Sequence, residues 1–260
     1  MELNAGKKIY FFSDVHLGAP DADASLLREK KLVRFLEKIR QDAQEIVIVG
    51  DLFDFWYEYR HVVPKGYVRL LGKLAQLTDA GIRIHFFVGN HDMWMKTYFQ
   101  RELNIPVYFH PQSFTYGPAR FYVAHGDGLG PGDHGYKLLK KIFRNPVCQW
   151  LFGMLPATIG IGLANYFSSK SRASVAEHEK TFLGPDKEWL MIHSREVLKQ
   201  EHFDYFVYGH RHVAVVHPLG DSSTYVNLGD WVTHFTYGVW DGSEMLLKKF
   251  EEPTGEKHSE

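Results

Sequence analysis

Residues 82–92 read Ile-Arg-Ile-His-Phe-Phe-Val-Gly-Asn-His-Asp. The segment from Ile82 to Val88 is rich in β-branched and aromatic side chains and reads as a buried strand. It stops at Gly89, where a chain can turn sharply, and delivers Asn90, His91 and Asp92 just past the strand end. The same pattern occurs twice upstream. Glu45 to Val49 runs into Gly50-Asp51-Leu52-Phe53-Asp54, and Ile9 to Phe12 runs through Ser13 into Asp14-Val15-His16. Between these strands lie two helical patterns. Ser25 to Arg40 carries Leu26, Leu27, Val33, Phe35, Leu36 and Ile39 at helical spacing, and Tyr67 to Ala80 is closed by Gly81. Strand, helix, strand, helix, strand predicts right-handed crossovers and a mostly parallel sheet, whose ligands gather beyond the carboxyl ends of the strands.

Past Tyr108 the rhythm changes to short strands: Ser113 to Tyr116, Arg120 to Ala124, Tyr205 to Tyr208, Val213 to Val216, Thr224 to Leu228 and Met245 to Phe250. They predict a second sheet packed on the first, with helices outside. Residues 1–132 and 196–251 are expected to form the core, Asp133 to Arg195 a mainly helical cap over the site, and 252–260 a polar tail.

Bulk properties narrow the classes. A net charge of -1 argues against a generally basic nucleic-acid binder, so no nucleic-acid partner is expected. The single cysteine, Cys148, excludes an intramolecular disulfide framework and a Cys-based structural zinc site. The N-terminal apolar run is too short for a signal-peptide core, and a cytoplasmic location is expected. The uncharged stretch from Asn145 to Ser169 is long enough to span a bilayer, but Pro146, Gly153, Pro156, Gly160 and Gly162 interrupt it. It is read as part of the cap.

Two further segments join the three strand-end motifs: His125-Gly126-Asp127 and Gly209-His210-Arg211-His212. Taken singly, each has an ordinary structural reading: Gly-Asp is turn chemistry, Asn-His-Asp can cap a helix, and histidines sit at many strand ends. Taken together they are carboxylate, imidazole and amide donors of the kind that hold manganese, iron or zinc. A bridging carboxylate can hold two such cations about 3.5–4 Å apart, a pair suited to in-line displacement by water.

These five segments, in this order, resemble the calcineurin-like metallophosphoesterase superfamily: D-x-H, G-D-x-x-D, G-N-H-D, H and G-H-x-H. The resemblance spans residues 14–212. It implies a four-layer α/β/β/α sandwich with a helical cap insertion and hydrolysis of phosphoester or phosphoanhydride bonds. Two divalent metal ions are implied, manganese with iron or zinc as alternatives. Asp14, His16 and His212 would bind one ion, Asn90, His125 and His210 the other, with Asp51 bridging. His91 would face the substrate and protonate the leaving oxygen or stabilise phosphoryl charge. Asp92 would orient His91 through a hydrogen bond, and Asp54 would act in support rather than as a ligand.

The insertion carries Lys137, Lys140, Lys141 and Arg144, then Trp150, Leu151, Phe152, Met154, Leu155, Ile159, Ile161, Leu163 and Phe167, then Lys170 and Arg172. An apolar surface fenced by cations suits an amphiphile with acyl chains and an anionic head, or an anionic membrane; the alternative is the interior of a helical cap. With the Gly-rich loop from His125 to Asp133, this is similar to the UDP-2,3-diacylglucosamine pyrophosphatase branch of lipid A synthesis. That similarity implies a lipid-linked nucleoside diphosphate as substrate, cut to lipid X and UMP. Asn90, His91, Asp133, Ser169, Lys170, Arg172 and His210 would contact it, at the inner face of the cytoplasmic membrane. One position departs: the best-known members carry Arg where this chain has His91. A soluble phosphoesterase acting on nucleotides or phosphoproteins is the enzymatic alternative. A non-catalytic module holding a membrane or partner is the other.

Overall fold

The computed structural model describes residues 2–132, 134–174 and 181–251, and within them not the side chains of 165, 169 and 171–174. β1 (Lys8–Phe12), β2 (Ala43–Val49), β3 (Arg83–Phe87) and the short β4 (Val107–Tyr108) run parallel and side by side. β2 is central, which is why its Ile46, Val47, Ile48 and Val49 are apolar without alternation and all fully buried. The crossovers are α1 (Ala22–Ile39) and α2 (Val68–Asp79), with α3 (Tyr98–Leu103) between β3 and β4. Asp21 starts α1 by accepting the Ala24 N–H at 2.9 Å, and Leu32, Phe35, Leu36 and Ile39 turn its apolar stripe onto the sheet. α3 starts later than an Asn-His-Asp cap would place it. The buried Glu58 carboxylate gathers the N–H groups of Lys96, Thr97 and Tyr98 at its start.

The second sheet has the order β5 (Gln112–Tyr116), β6 (Ala119–Ala124), β7 (Tyr205–Tyr208), β9 (Ser223–Leu228), β8 (Ala214–Leu219), with β6, β7 and β9 parallel. Two features differ from the sequence reading. β10 (Thr236–Trp240) was not anticipated, and it pairs antiparallel with β1, Ile9 opposite Trp240. β11 (Met245–Lys249) then pairs with β10, so it closes the edge of the first sheet instead of joining the second. The sheets face each other across Phe11, Val47, Val49, Phe121, Val123, Val207, Val226 and Trp240, with the Phe11 and Phe121 rings stacked at 5.9 Å.

α7 (Trp189–Leu198) covers the outer face of the second sheet through Leu190 and Met191, packed with Phe206 and Tyr208. The boundary expected at Arg195 falls inside this helix, whose burial ties it to the core layers. The remaining insertion is α4 (His134–Phe143), α5 (Pro146–Gly153) and α6 (Ala157–Ser174). α4 and α5 bury no residue completely, and Leu138, Trp150, Met154 and Phe167 are each more than 60% exposed. The cap therefore presents apolar side chains to its surroundings instead of packing them inside. Part of its hold on the core is aromatic: Phe152 lies 4.5 Å from Trp94 and 5.0 Å from Tyr57, ring to ring. Trp94 Nε1 also donates to the Phe143 carbonyl at 2.7 Å. No helix among the described residues is long and apolar enough to cross a membrane.

Candidate metal centre

The parallel strands of both sheets end on one side of the molecule, and the loops that follow are stitched together by backbone hydrogen bonds. Asp14 N–H donates to the Gly50 carbonyl, and Val15 and His16 N–H donate to the Asp51 carbonyl, at 2.8–3.0 Å. Gly209 N–H donates to the His125 carbonyl at 3.0 Å. His91 N–H reaches Asp51 Oδ1 at 2.8 Å, and His210 N–H reaches Asp14 Oδ2 at 2.9 Å. Each carboxylate thus spends one oxygen on the scaffold and turns the other inward. At Gly50 a side chain is impossible: φ is +87°, and a Cβ would collide with the His125 ring.

The backbone here is unusual. Asp14, His16, Asp51, His210 and His212 all have positive φ, between 48° and 66°. For residues with a Cβ this conformation costs about 1–3 kcal/mol each, and it persists where the surrounding structure over-determines it.

Two groups of inward-facing atoms result. Asp51 Oδ2 is 3.4 Å from His125 Nε2 and 3.7 Å from His16 Nε2, so it stands between the groups. On one side, Asn90 Oδ1 lies 3.2 Å from His125 Nε2 and 3.0 Å from His210 Nδ1. On the other, Asp14 Oδ1 lies 3.4 Å from His212 Nε2, and His16 Nε2 is 3.3 Å from His212 Nε2. Asp14 with His16 and His212, and Asp14 with Asp51 and His125, each bring ligand-capable atoms within 4.8 Å of one another. Asp14, His16, Asp51, Asn90, His125, His210 and His212, the seven candidates read from sequence, lie together here.

A divalent ion fits this donor set. Asp14 Oδ1 is buried and makes no hydrogen bond, and among the described residues no Lys or Arg pairs with Asp14 or Asp51. Two carboxylates and four imidazoles, with no Lys or Arg paired to them among the described residues, suit a divalent cation. Burial resists ionisation of Asp51, but the surrounding His125, His91 and His16 rings win and hold its carboxyl well below the usual range. Burial likewise pushes His125 down, yet the Asp51, Asp14 and Asp127 carboxylates outweigh it and raise this imidazole. His210 goes the other way, lowered to about 3 by burial first and by His125 second.

Groups behind the ligands fix their aim. A carbonyl can only accept, so the 2.8 Å contact from Val49 O makes His125 Nδ1 the donor and leaves Nε2 facing inward. Asp230 Oδ2 lies 3.6 Å from His212 Nδ1 and 2.8 Å from His234 Nδ1. Asp230 escaped the sequence reading although Gly229-Asp230 follows β9 in the same glycine–aspartate manner as Gly50-Asp51. Asp127, beside His125, holds the cap instead: Tyr136 donates to it at 2.6 Å and Lys140 pairs with it at 2.5 Å.

His91 departs from expectation in its support. Asp92 makes no hydrogen bond to it. The Asp92 carboxylate accepts the N–H groups of Gly89 at 2.7 Å, Leu52 at 2.8 Å and Phe53 at 3.4 Å, tying the β2 and β3 loops together. Burial, reinforced by the Asp51 charge, raises its carboxyl above the ordinary range against those donors. The partners of His91 Nδ1 are the Asp54 carbonyl at 3.1 Å and Ser168 Oγ at 3.0 Å. No sequence signal marked Ser168, whose neighbour Ser169 was singled out instead. Lys170 is exposed, with Nζ 5.9 Å from the Tyr166 ring. Asp133 and the side chains of Ser169 and Arg172 lie outside the described residues.

A UDP-2,3-diacylglucosamine hydrolase of Porphyromonas gingivalis is 37% identical over 258 residues, covering 94% of this chain and 98% of that one. A protein of the same name from Aeromonas salmonicida is 27% identical, covering 92% of each chain. Among solved structures, a phosphoesterase from E. coli aligns with a TM-score of 0.45 at 19% identity, covering 92% of this chain and 90% of that one. A family model described as calcineurin-like phosphoesterase matches residues 7–214. Such a match, with identity above a third along nearly the whole of both sequences, assigns the molecule: it belongs to the calcineurin-like phosphoesterases and is a metal-dependent phosphohydrolase.

Proposed function

We propose that this chain hydrolyses the diphosphate of UDP-2,3-diacylglucosamine, releasing UMP and 2,3-diacylglucosamine 1-phosphate. Asp14, His16 and His212 would hold one divalent ion, Asn90, His125 and His210 the second, and Asp51 both, with manganese the preferred metal. When bound, such a pair withdraws charge from the phosphoryl oxygens and lets water act as nucleophile near neutral pH. The chain's own part is positioning and proton supply. Nδ1 of His91 is engaged by Asp54 and Ser168. Nε2 is therefore the nitrogen that would give a proton to the leaving phosphate or neutralise charge on it.

One observation carries the choice of substrate. The cap beside this site keeps Leu138, Trp150, Leu151, Met154, Leu163 and Phe167 exposed, alongside Lys141 and Lys170. Side chains packed into a cap interior would not look like this; a surface that receives acyl chains and lies against anionic lipid would. The names carried by the relatives agree with it. On this reading α4, α5 and α6 are the substrate-selecting cap, with Asp133, Ser169, Lys170 and Arg172 near the head group, and the molecule works at the inner face of a cytoplasmic membrane.

The test is turnover of UDP-2,3-diacylglucosamine with Mn²⁺, set against bis-p-nitrophenyl phosphate and cyclic nucleotides. The lipid-linked diphosphate should be preferred by orders of magnitude in kcat/KM. Equal or better turnover of the water-soluble esters would make this a general phosphoesterase.

A further inference from the structure

Among the described residues, Ser168 is the cap side chain that touches His91. Ser168 lies on α6, 77 residues along the chain from His91 and 114 from Asp54, yet its hydroxyl contacts both. Ser168 Oγ donates to Asp54 Oδ2 at 2.8 Å, which commits its proton and leaves the oxygen as acceptor for His91 Nδ1 at 3.0 Å. The Asp54 carbonyl takes the same Nδ1–H at 3.1 Å, and the Asp54 carboxylate also stands 3.6 Å from that nitrogen. An edge-on contact with His16, 4.8 Å between centroids, braces the ring. Of these restraints, Asp54 and His16 belong to the core, where they stay whatever the cap does. The Ser168 restraint moves with α6.

We propose that Ser168 is a positioning residue that ties the orientation of the His91 imidazole to the seating of the cap. With α6 docked, Nδ1–H is shared by two acceptors and the ring is held with Nε2 toward the substrate. With α6 displaced, the hydroxyl leaves with it, while the Asp54 and His16 contacts stay with the core. The inference rests on the reading of His91 as the group that faces substrate.

The test compares Ser168→Ala, Ser168→Thr, His91→Ala and the double variant S168A/H91A, with UDP-2,3-diacylglucosamine as substrate and Mn²⁺ saturating. Ser168→Ala should lower kcat about 10-fold, the scale of one hydrogen bond to a polar catalytic group, with KM changed less than about twofold. Ser168→Thr, which keeps the hydroxyl, should restore most of that loss. In the His91→Ala background, Ser168→Ala should add nothing, because the two act as a unit. Manganese content should be the same in all four, and hydrogen exchange along α6 should quicken in Ser168→Ala. A loss that appears in KM with kcat intact would make Ser168 a substrate contact and overturn the proposal. So would additive losses in the double variant, or wild-type turnover in Ser168→Ala while His91→Ala is slow. Wild-type turnover in His91→Ala would instead remove His91 from the chemistry, and the underlying reading with it.

Discussion

At the level of single residues, the centre is a set of side chains that the backbone and the chemistry choose for different reasons. Asp14, His16, Asp51, His210 and His212 sit in left-handed conformations. Among residues with a Cβ, Asn, Asp and His tolerate that region best. They are also the residues that coordinate hard and borderline cations. This overlap is why the cluster of candidate ligands was legible in the sequence: each strand-end motif announces a turn and a donor at once. The support for His91 was not legible, because Asp54 and Ser168 meet only in three dimensions and the adjacent Asp92 is spent on backbone N–H groups. A pH dependence follows from His125. Its imidazole is raised by the carboxylates around it, and a proton on Nε2 competes with a cation for one lone pair. Manganese binding should therefore release protons and weaken as pH falls from 8 to 6. Titration calorimetry in buffers of different ionisation enthalpy measures this, and a pH-independent affinity with no proton release would contradict it.

At the level of elements, periodicity revealed β1, α1, β2, α2 and β3, since each is long, patterned and bounded by glycine or a cap. β10 was hidden by Gly238, which reads as a turn in the middle of Thr-Tyr-Gly-Val-Trp. A Cβ there would have to displace the Met245 methyl and press on Leu228. A cue was available in Asp241-Gly242, whose aspartate accepts from the Ser243 and Glu244 N–H groups to form the β10–β11 hairpin. Which sheet the hairpin joins depends on its pairing with β1, information that no local pattern holds. The link between α7 and the His210–His212 turn is likewise non-local. Arg211, 3% exposed, pairs with Glu188, 1% exposed, at 2.8 Å and lies 4.2 Å over the Trp189 ring. Glu188→Ala removes the carboxylate paired with this buried guanidinium and should cost about 3–5 kcal/mol in denaturant unfolding. A loss under about 1 kcal/mol would mean that water reaches Arg211 and that the turn is held by other contacts.

At the level of the whole molecule, two sheets deliver their strand ends to one rim, and carboxylates gather there that no Lys or Arg among the described residues pairs with. Cations bound at that rim should stabilise the fold by mass action, about 2.7 kcal/mol at a hundredfold excess over Kd. Extraction by a chelator should lower Tm by several degrees, and Mn²⁺ should restore it; Asp51→Ala should be insensitive to both treatments. An unchanged Tm on extraction would argue that the carboxylates are balanced in some other way. The exposed apolar helices of the cap have a kinetic consequence. An enzyme that meets its substrate on an interface searches in two dimensions, so its rate follows how densely that interface is populated. In mixed micelles, diluting the lipid substrate with inert detergent at constant total concentration should slow turnover in proportion to mole fraction. A rate indifferent to that dilution would mean that the enzyme takes its substrate from the aqueous phase one molecule at a time.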